Sequence, residues 1–289
     1  MKSATAFLVF CFIAPAFSAS FTYQNGVITL YSGDVSFEGI NDAGQIAGYQ
    51  GTTVGTLTSF VYANGVYTPI TQPGEALKAL AINNAGQVFL NRELGSDAGF
   101  IYDNGTRTQI PDHPGAIGTT VYQGINTSGT ALGSYGGFMY FTYSAGTFTD
   151  LALGNWSAIG IADSGQVFGY YLDNGGHAHG FIDTNGSSAT FDVPGALNTT
   201  LRAISSNGYL AGTSTLGNYV DINGSFSFFH LSGYSFFPTG VNSSGEVVGV
   251  AFSGPVDSPE PAPLTLVGSA LTAMAAMRAR RRVRFRADG

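Results

Sequence analysis

The 289-residue chain has one cysteine, Cys11, and it lies in an apolar run near the N-terminus. The rest of the sequence therefore has no thiol for a disulfide or a cysteine-ligated metal. Cations are scarce too: between residues 20 and 254 the only basic side chains are Lys78, Arg92, Arg107 and Arg202. Carboxylates far outnumber them there, and a surface of that sign repels nucleic acid and anionic headgroups. Only 10% of all residues are charged, and helix-favouring residues are sparse before residue 262, which argues against a helical architecture. Neither a Gly-x-Ser-x-Gly elbow nor a Ser-His-Asp arrangement is evident, so serine-hydrolase chemistry has no footing.

Glycine and phenylalanine, at 41 and 22 residues, are abundant, and they recur in phase. GINDAGQIAGY begins at Gly39 and is echoed by AINNAGQVFLN at Ala81, GINTSGTALGS at Gly124, GIADSGQVFGYY at Gly160, AISSNGYLAGT at Ala203 and GVNSSGEVVGV at Gly240. In each, an apolar residue ends one strand, Asn, Asp or Ser satisfies turn backbone groups, and a glycine accepts the positive φ of the turn. A further glycine inside the following strand (Gly48, Gly133, Gly169, Gly212, Gly249; Leu90 in the second copy) marks close backbone approach. A second signature runs in step with the first: FTYQNG at Phe21, FVYANG at Phe60, FIYDNG at Phe100, FMYFTYSAG at Phe138, FIDTNG at Phe181 and YVDING at Tyr219. Alternation closed by Asn-Gly is the strongest short-range hairpin signal.

Together they place roughly four short strands in every ~40 residues, the period of a propeller blade. The expected fold is all-β, a six-bladed β-propeller over residues 19–254. A β-solenoid or an open stack of sheets is the other architecture such a repeat allows, because repeat length alone does not prove ring closure.

The two ends carry different information. Met1 and Lys2 precede an apolar run from Ala6 to Ala14, and Ala16-Phe17-Ser18 supplies small residues at a cleavage position, so residues 1–18 read as a secretory signal peptide. At the other end a linker, 255–261, contains Pro259-Glu260-Pro261. An apolar run follows over 262–277, expected to form a transmembrane helix, and then a basic tail over 278–289. Arg278, Arg280, Arg281 and Arg282 form a stop-transfer cluster that would keep this tail in the cytoplasm.

SPEPAPLTLVGSALTAMAAMRARRR resembles the PEP-CTERM sorting signal of Gram-negative bacteria. That resemblance implies recognition of Pro259, Glu260 and Pro261 by an exosortase-type enzyme at the inner membrane. It further implies C-terminal processing and delivery to the cell surface or extracellular space, with exopolysaccharide as a partner. The repeats are similar to the bacterial extracellular repeats named for a His-Ala-Phe signature, best in HAHGFIDTNGSSATFDVPGALNTTLRAISSNGYLAG from His177. This second resemblance implies an exported repeat protein and no particular activity.

Sequence alone designates no catalytic residue, metal site, cofactor or ligand-binding residue. His177 and His179 share a strand face, with Asp173 and Asp183 the nearby acids, but the surroundings suit ordinary strand chemistry better than metal ligation. Asp173 and Asp221 sit in turns and lack a full calcium loop, so turn capping is their expected role. Tyr170 with Tyr171 and Phe236 with Phe237 are candidate sugar-stacking pairs among aromatics that mostly belong to the core. The resulting expectation is a non-enzymatic binding or structural protein, with a secreted glycosidase or lyase on the same scaffold as the alternative.

Overall fold

The computed structural model describes residues 18–53, 55–93, 99–117, 120–253 and 282–286. Two strands open the chain, β1 (Ser18–Gln24) and β2 (Val27–Ser32). Five complete sheets follow without interruption, with β3 (Val35–Ile40), β4 (Ile46–Gln50), β5 (Thr58–Ala63) and β6 (Val66–Pro69) forming the first of them. The next contains β7 (Leu77–Ile82), β8 (Val88–Arg92), β9 (Gly99–Asp103) and β10 (Thr106–Ile110). Then come β11 (Val121–Ile125), β12 (Ala131–Tyr135), β13 (Met139–Ser144) and β14 (Thr147–Leu151), and β15 (Ser157–Ile161), β16 (Val167–Leu172), β17 (Ala178–Thr184) and β18 (Ser187–Phe191). A fifth complete sheet holds β19 (Thr199–Ile204), β20 (Leu210–Ser214), β21 (Gly217–Ile222) and β22 (Ser225–Phe229).

The last two repeat strands, β23 (Tyr234–Val241) and β24 (Val247–Ser253), pair with β1 and β2, so one sheet is built from both ends of the repeat region. This pairing closes the ring, and the solenoid and the open stack are thereby excluded. Blade boundaries are also displaced from the sequence repeat: each Phe-x-Tyr-type hairpin after the first forms the outer half of the blade whose inner half is the preceding Gly-Ile-Asn-type hairpin, and the first, at Phe21, completes the blade of the Gly240 hairpin. A further strand, β25 (Arg282–Arg286), pairs antiparallel with the outer edge of β2. It contains Arg282 of the basic cluster. Pro259, Glu260, Pro261, Arg278, Arg280, Arg281, the apolar run 262–277 and residues 1–17 lie outside the described residues. Among the described residues, no helix is long and apolar enough to cross a membrane.

Local chemistry sets each hairpin. Asn25-Gly26, Asn64-Gly65, Asn104-Gly105, Asn185-Gly186 and Asn223-Gly224 have positive φ at both residues, as a two-residue hairpin loop of the type I′ kind requires, and Ala145-Gly146 does the same without asparagine. In the other turn the asparagine side chain reaches forward: Asn41 Oδ1 accepts from Gln45 N at 3.0 Å, and Asn126 Oδ1 from Thr130 N at 2.9 Å.

The in-strand glycines pair with the leading aromatics, as Gly48 with Phe60, Gly169 with Phe181, Gly212 with Tyr219 and Gly249 with Phe21. A Cβ at Gly48 would collide with the Ser36 carbonyl oxygen, and one at Gly133 with the Phe141 ring. Close approach is therefore the reason for glycine, and its neighbours are the adjoining inner strand and the ring opposite. In the fourth unit the aromatic in phase is Phe141, which is fully buried and pairs with Gly133, rather than Phe138, which is exposed.

Apolar clusters lie between successive sheets. One joins Phe37, Ile40 and Phe60 of one blade to Val248 of the closing blade; another joins Phe21 and Tyr23 to Phe229 and Phe236. Serines pin blade to blade: Ser20 Oγ donates to Val35 O at 2.7 Å and accepts from Phe37 N at 2.9 Å, and Ser59 Oγ makes the same pair with Leu77 O and Ala79 N.

Candidate functional site

The innermost strands β3, β7, β11, β15, β19 and β23 line a cavity of about 330 Å³ on the ring axis. Each of these strands has a register shift at the same place, between Phe37 and Gly39, Ala79 and Ala81, Tyr122 and Gly124, Ala158 and Gly160, Leu201 and Ala203, and Pro238 and Gly240. The residue left over at each bulge is Glu38, Leu80, Gln123, Ile159, Arg202 or Thr239, and all six line the cavity. A bulge re-aims a side chain that regular pairing would place elsewhere. Around the axis the order is Thr239, Glu38, Leu80, Gln123, Ile159, Arg202, so a polar arc carrying both charges faces Gln123 flanked by two aliphatic residues.

Glu38 receives a hydrogen bond from Ser36 Oγ. Burial pushes its carboxyl up to about 7, against the opposing pull of that hydrogen bond and of Lys78 and Arg202. The Arg202 guanidinium donates from Nε to Pro238 O at 3.1 Å and lies over the Phe237 ring, with 6.0 Å to the centroid. Burial lowers its pKa, while Tyr170 and Glu38 act in the other direction. Gln123 donates from Nε2 to Ser134 Oγ at 2.7 Å, and its Oε1 is buried with no hydrogen-bond partner. Thr239 is satisfied, donating to Phe37 O at 2.8 Å.

At the end of the inner strands the repeat turns form a floor. Asp42 Oδ1 accepts from Ser243 N at 2.7 Å, and its Oδ2 accepts from Asn84 Nδ2 at 2.8 Å and from Ser206 Oγ. Asn84 Nδ2 also reaches Asp163 Oδ2 at 2.8 Å, and Asp163 Oδ1 accepts from Thr127 N and Oγ1, each at 2.7 Å. Asp42 and Ser206, like Asn84 and Asp163, belong to sheets that are not neighbours, so these bonds span the axis. Burial favours the protonated form of Asp42, but the donors Ser206, Ser243 and Asn84 outweigh it and hold the carboxyl below its ordinary value.

The histidine pair separates in the structure. His179 Nδ1 lies 2.9 Å from Asp192 and its Nε2 lies 3.5 Å from Asp173. His177 contributes its backbone N–H to Asp173 Oδ1 at 2.9 Å. The nearby acid named from the sequence, Asp183, instead accepts from Gly186 N and Ser188 Oγ, and Asp192 takes its place. Asp173 and Asp221 cap turns through Gly175 N and Gly224 N. Among the described residues, no three His, Cys, Asp or Glu side chains converge as metal ligands.

Of the aromatic pairs, Phe236 is core, Phe237 lies beneath Arg202, and Tyr171 stacks on Trp156 at 4.5 Å. Tyr170 stands on β16 opposite Ser157 of the inner strand. None of the six bulge residues stood out in the sequence, although each immediately precedes a Gly-Ile-Asn-type signature; the clue was that this position varies where its neighbours repeat.

No protein-family model and no curated protein sequence matches the chain. Solved structures do match. One is XC5397, a gluconolactonase from Xanthomonas campestris, at 11% identity and a TM-score of 0.50 over 82% of this chain and 95% of that one. Another is a TolB-like protein from Agrobacterium tumefaciens, at 13% identity and a TM-score of 0.57 over 83% and 99%. The shared feature is the propeller fold. These likenesses correct the expectation of a non-enzymatic protein: the same fold hosts a gluconolactonase, so an absence of catalysis cannot be argued from the scaffold, and Glu38 puts a titratable carboxyl into the channel.

Proposed function

We propose that this protein is exported, sorted at the inner membrane through Pro259-Glu260-Pro261 and the arginine cluster by an exosortase-type enzyme, and displayed at the cell surface or in the matrix. There its axial channel receives a small polyhydroxylated ligand of the kind exopolysaccharide supplies. The observation that carries the ligand reading is the bulge ring: polar groups with open hydrogen-bonding capacity stand beside aliphatic residues, the mixture that suits the hydroxyls and the CH face of a sugar. The cavity lies at the lower end of the size range of small-molecule pockets, which suits one ring better than a long chain.

Glu38 supports a second reading on the same site, in which the bound ligand is turned over. A carboxyl titrating near neutrality is suited to proton transfer in either direction. Among the described residues, Glu38 is the only carboxylate in the channel lining, so the two-carboxylate arrangement of a glycosidase is not met there. Acid–base chemistry at a single group is what remains. Assaying the full chain against a panel of sugars and surface polysaccharides for both binding and cleavage tests the site. Arg202→Met should weaken binding and Glu38→Ala should abolish any turnover, and signals unaffected by both substitutions would sink the channel reading.

The sorting reading is tested separately. Replacing Pro259, Glu260 and Pro261 by alanine should strand the protein in the inner-membrane fraction, and unchanged fractionation would refute it.

A further inference from the structure

The four cations of the propeller are not alike. Lys78 pairs with Glu93 at 2.7 Å and Arg107 with Glu75 at 3.0 Å, whereas Arg202 has no carboxylate within ion-pairing distance among the described residues. In a chain of net charge −7, an unpaired guanidinium on the axis is poorly accounted for by folding alone. Its bond to the Pro238 carbonyl uses Nε, its guanidinium lies over Phe237, and the residue lines the channel. A planar fork of that kind matches a carboxylate in bidentate geometry. One blade further round the ring from Ile159 sits Gln123, whose buried Oε1 lacks a donor. An orphaned acceptor of this sort is costly when empty and is satisfied by a hydroxyl.

Resting on the reading of the channel as a ligand site, we propose that its ligand is an acidic sugar, a hexuronate-type ring whose carboxylate pairs with Arg202 and whose hydroxyl donates to Gln123 Oε1 across the aliphatic face of Ile159. Glu38 then acts as the partner that adjusts to the incoming charge. It is faced by Ser36 on its own strand, Tyr49 on β4, Lys78 on β7 with Glu93 beyond it, and Arg202 on β19. A second carboxylate brought into this space favours the neutral form of Glu38 by like-charge repulsion. Binding therefore takes up a proton around neutrality, and affinity weakens as pH rises through about 7.

Titration calorimetry on the full chain with D-glucuronate, D-glucose and a short oligoglucuronide tests this, at pH 6 and pH 8. Glucuronate should bind at least tenfold more tightly than glucose, and several-fold more tightly at pH 6 than at pH 8. This wild-type comparison requires no variant to fold. If the oligoglucuronide binds as well as the monosaccharide, the source is a chain end; if only the monosaccharide binds, it is the free acid, and both outcomes support the proposal.

Arg202→Met should remove the preference for glucuronate, Gln123→Leu should weaken binding of the acid at both pH values, and Glu38→Gln should keep binding and lose its pH dependence. Thermal melts of each variant accompany these measurements. Equal affinity for glucose and glucuronate overturns the proposal and leaves the channel reading standing, whereas no binding of any sugar overturns both.

Discussion

Two levels of the same inner strands show opposite behaviour. At the floor, copies differ little in kind: Asp42, Asn84, Thr127, Asp163, Ser206 and Ser243 are all small and polar, and the Asp, Asn and Thr side chains among them are tied to one another across the axis. One short step back along the strands, the bulge ring holds Glu38, Leu80, Gln123, Ile159, Arg202 and Thr239, which share almost nothing and include an unsatisfied acceptor and an unpaired cation. The backbone treats both levels identically in every blade. A position that repeats within such a frame serves the ring, and one that varies while its register stays fixed is free to serve a ligand.

Substitutions can break that contrast. The largest loss is expected at the frame aromatic Phe141, where Phe141→Ala empties a fully buried site and should cost about 3–5 kcal/mol in denaturant unfolding. Asp42→Ala removes the acceptor that three blades share, and a loss of about 1–2 kcal/mol is expected. Because the folded state holds the Asp42 carboxyl below the ordinary aspartate value of 3.8, its contribution is present above that pH and disappears as pH falls through the folded value, so the variant and the wild type should converge in strong acid.

At the bulge ring the sign reverses. Glu38 has a raised pKa, so the folded state binds more protons than the unfolded chain between 4.5 and about 7, and stability falls as pH rises through that window. Glu38→Gln should flatten the slope and leave the variant about 1 kcal/mol more stable above the window, less than the full shift implies because Glu38 is only half-buried. Phe138→Ser, at the exposed ring out of phase with the repeat, should change stability by less than about 0.5 kcal/mol. A loss at Phe138 equal to that at Phe141 would mean the phase is wrong.

Much of this frame was legible in the sequence. Both hairpin types, the glycine that marks close approach and the blade period follow from turn chemistry and alternation, since Asn-Gly and Asn-x-x-Gly allow few other conformations. Closure was not legible, because pairing of β1 with β24 joins residues at opposite ends of the repeat region and no local pattern encodes it. Phe138 and Phe141 could not be told apart by type, as both are phenylalanine and only burial separates them. The channel residues were hidden for a related reason. Glu38 and Arg202 are isolated in sequence, and only the bulge common to all six inner strands turns them toward one axis.

The account turns on Glu38 standing inside the channel within the field of Arg202. Carboxyl carbon-13 NMR of the full chain, titrated from pH 3 to pH 9 with Glu38→Gln as the assignment control, measures this directly. A Glu38 midpoint at about 7, rising further in Arg202→Met, is the predicted result. A midpoint near 4.5 that does not respond to Arg202 would place the side chain in open solvent and contradict the site.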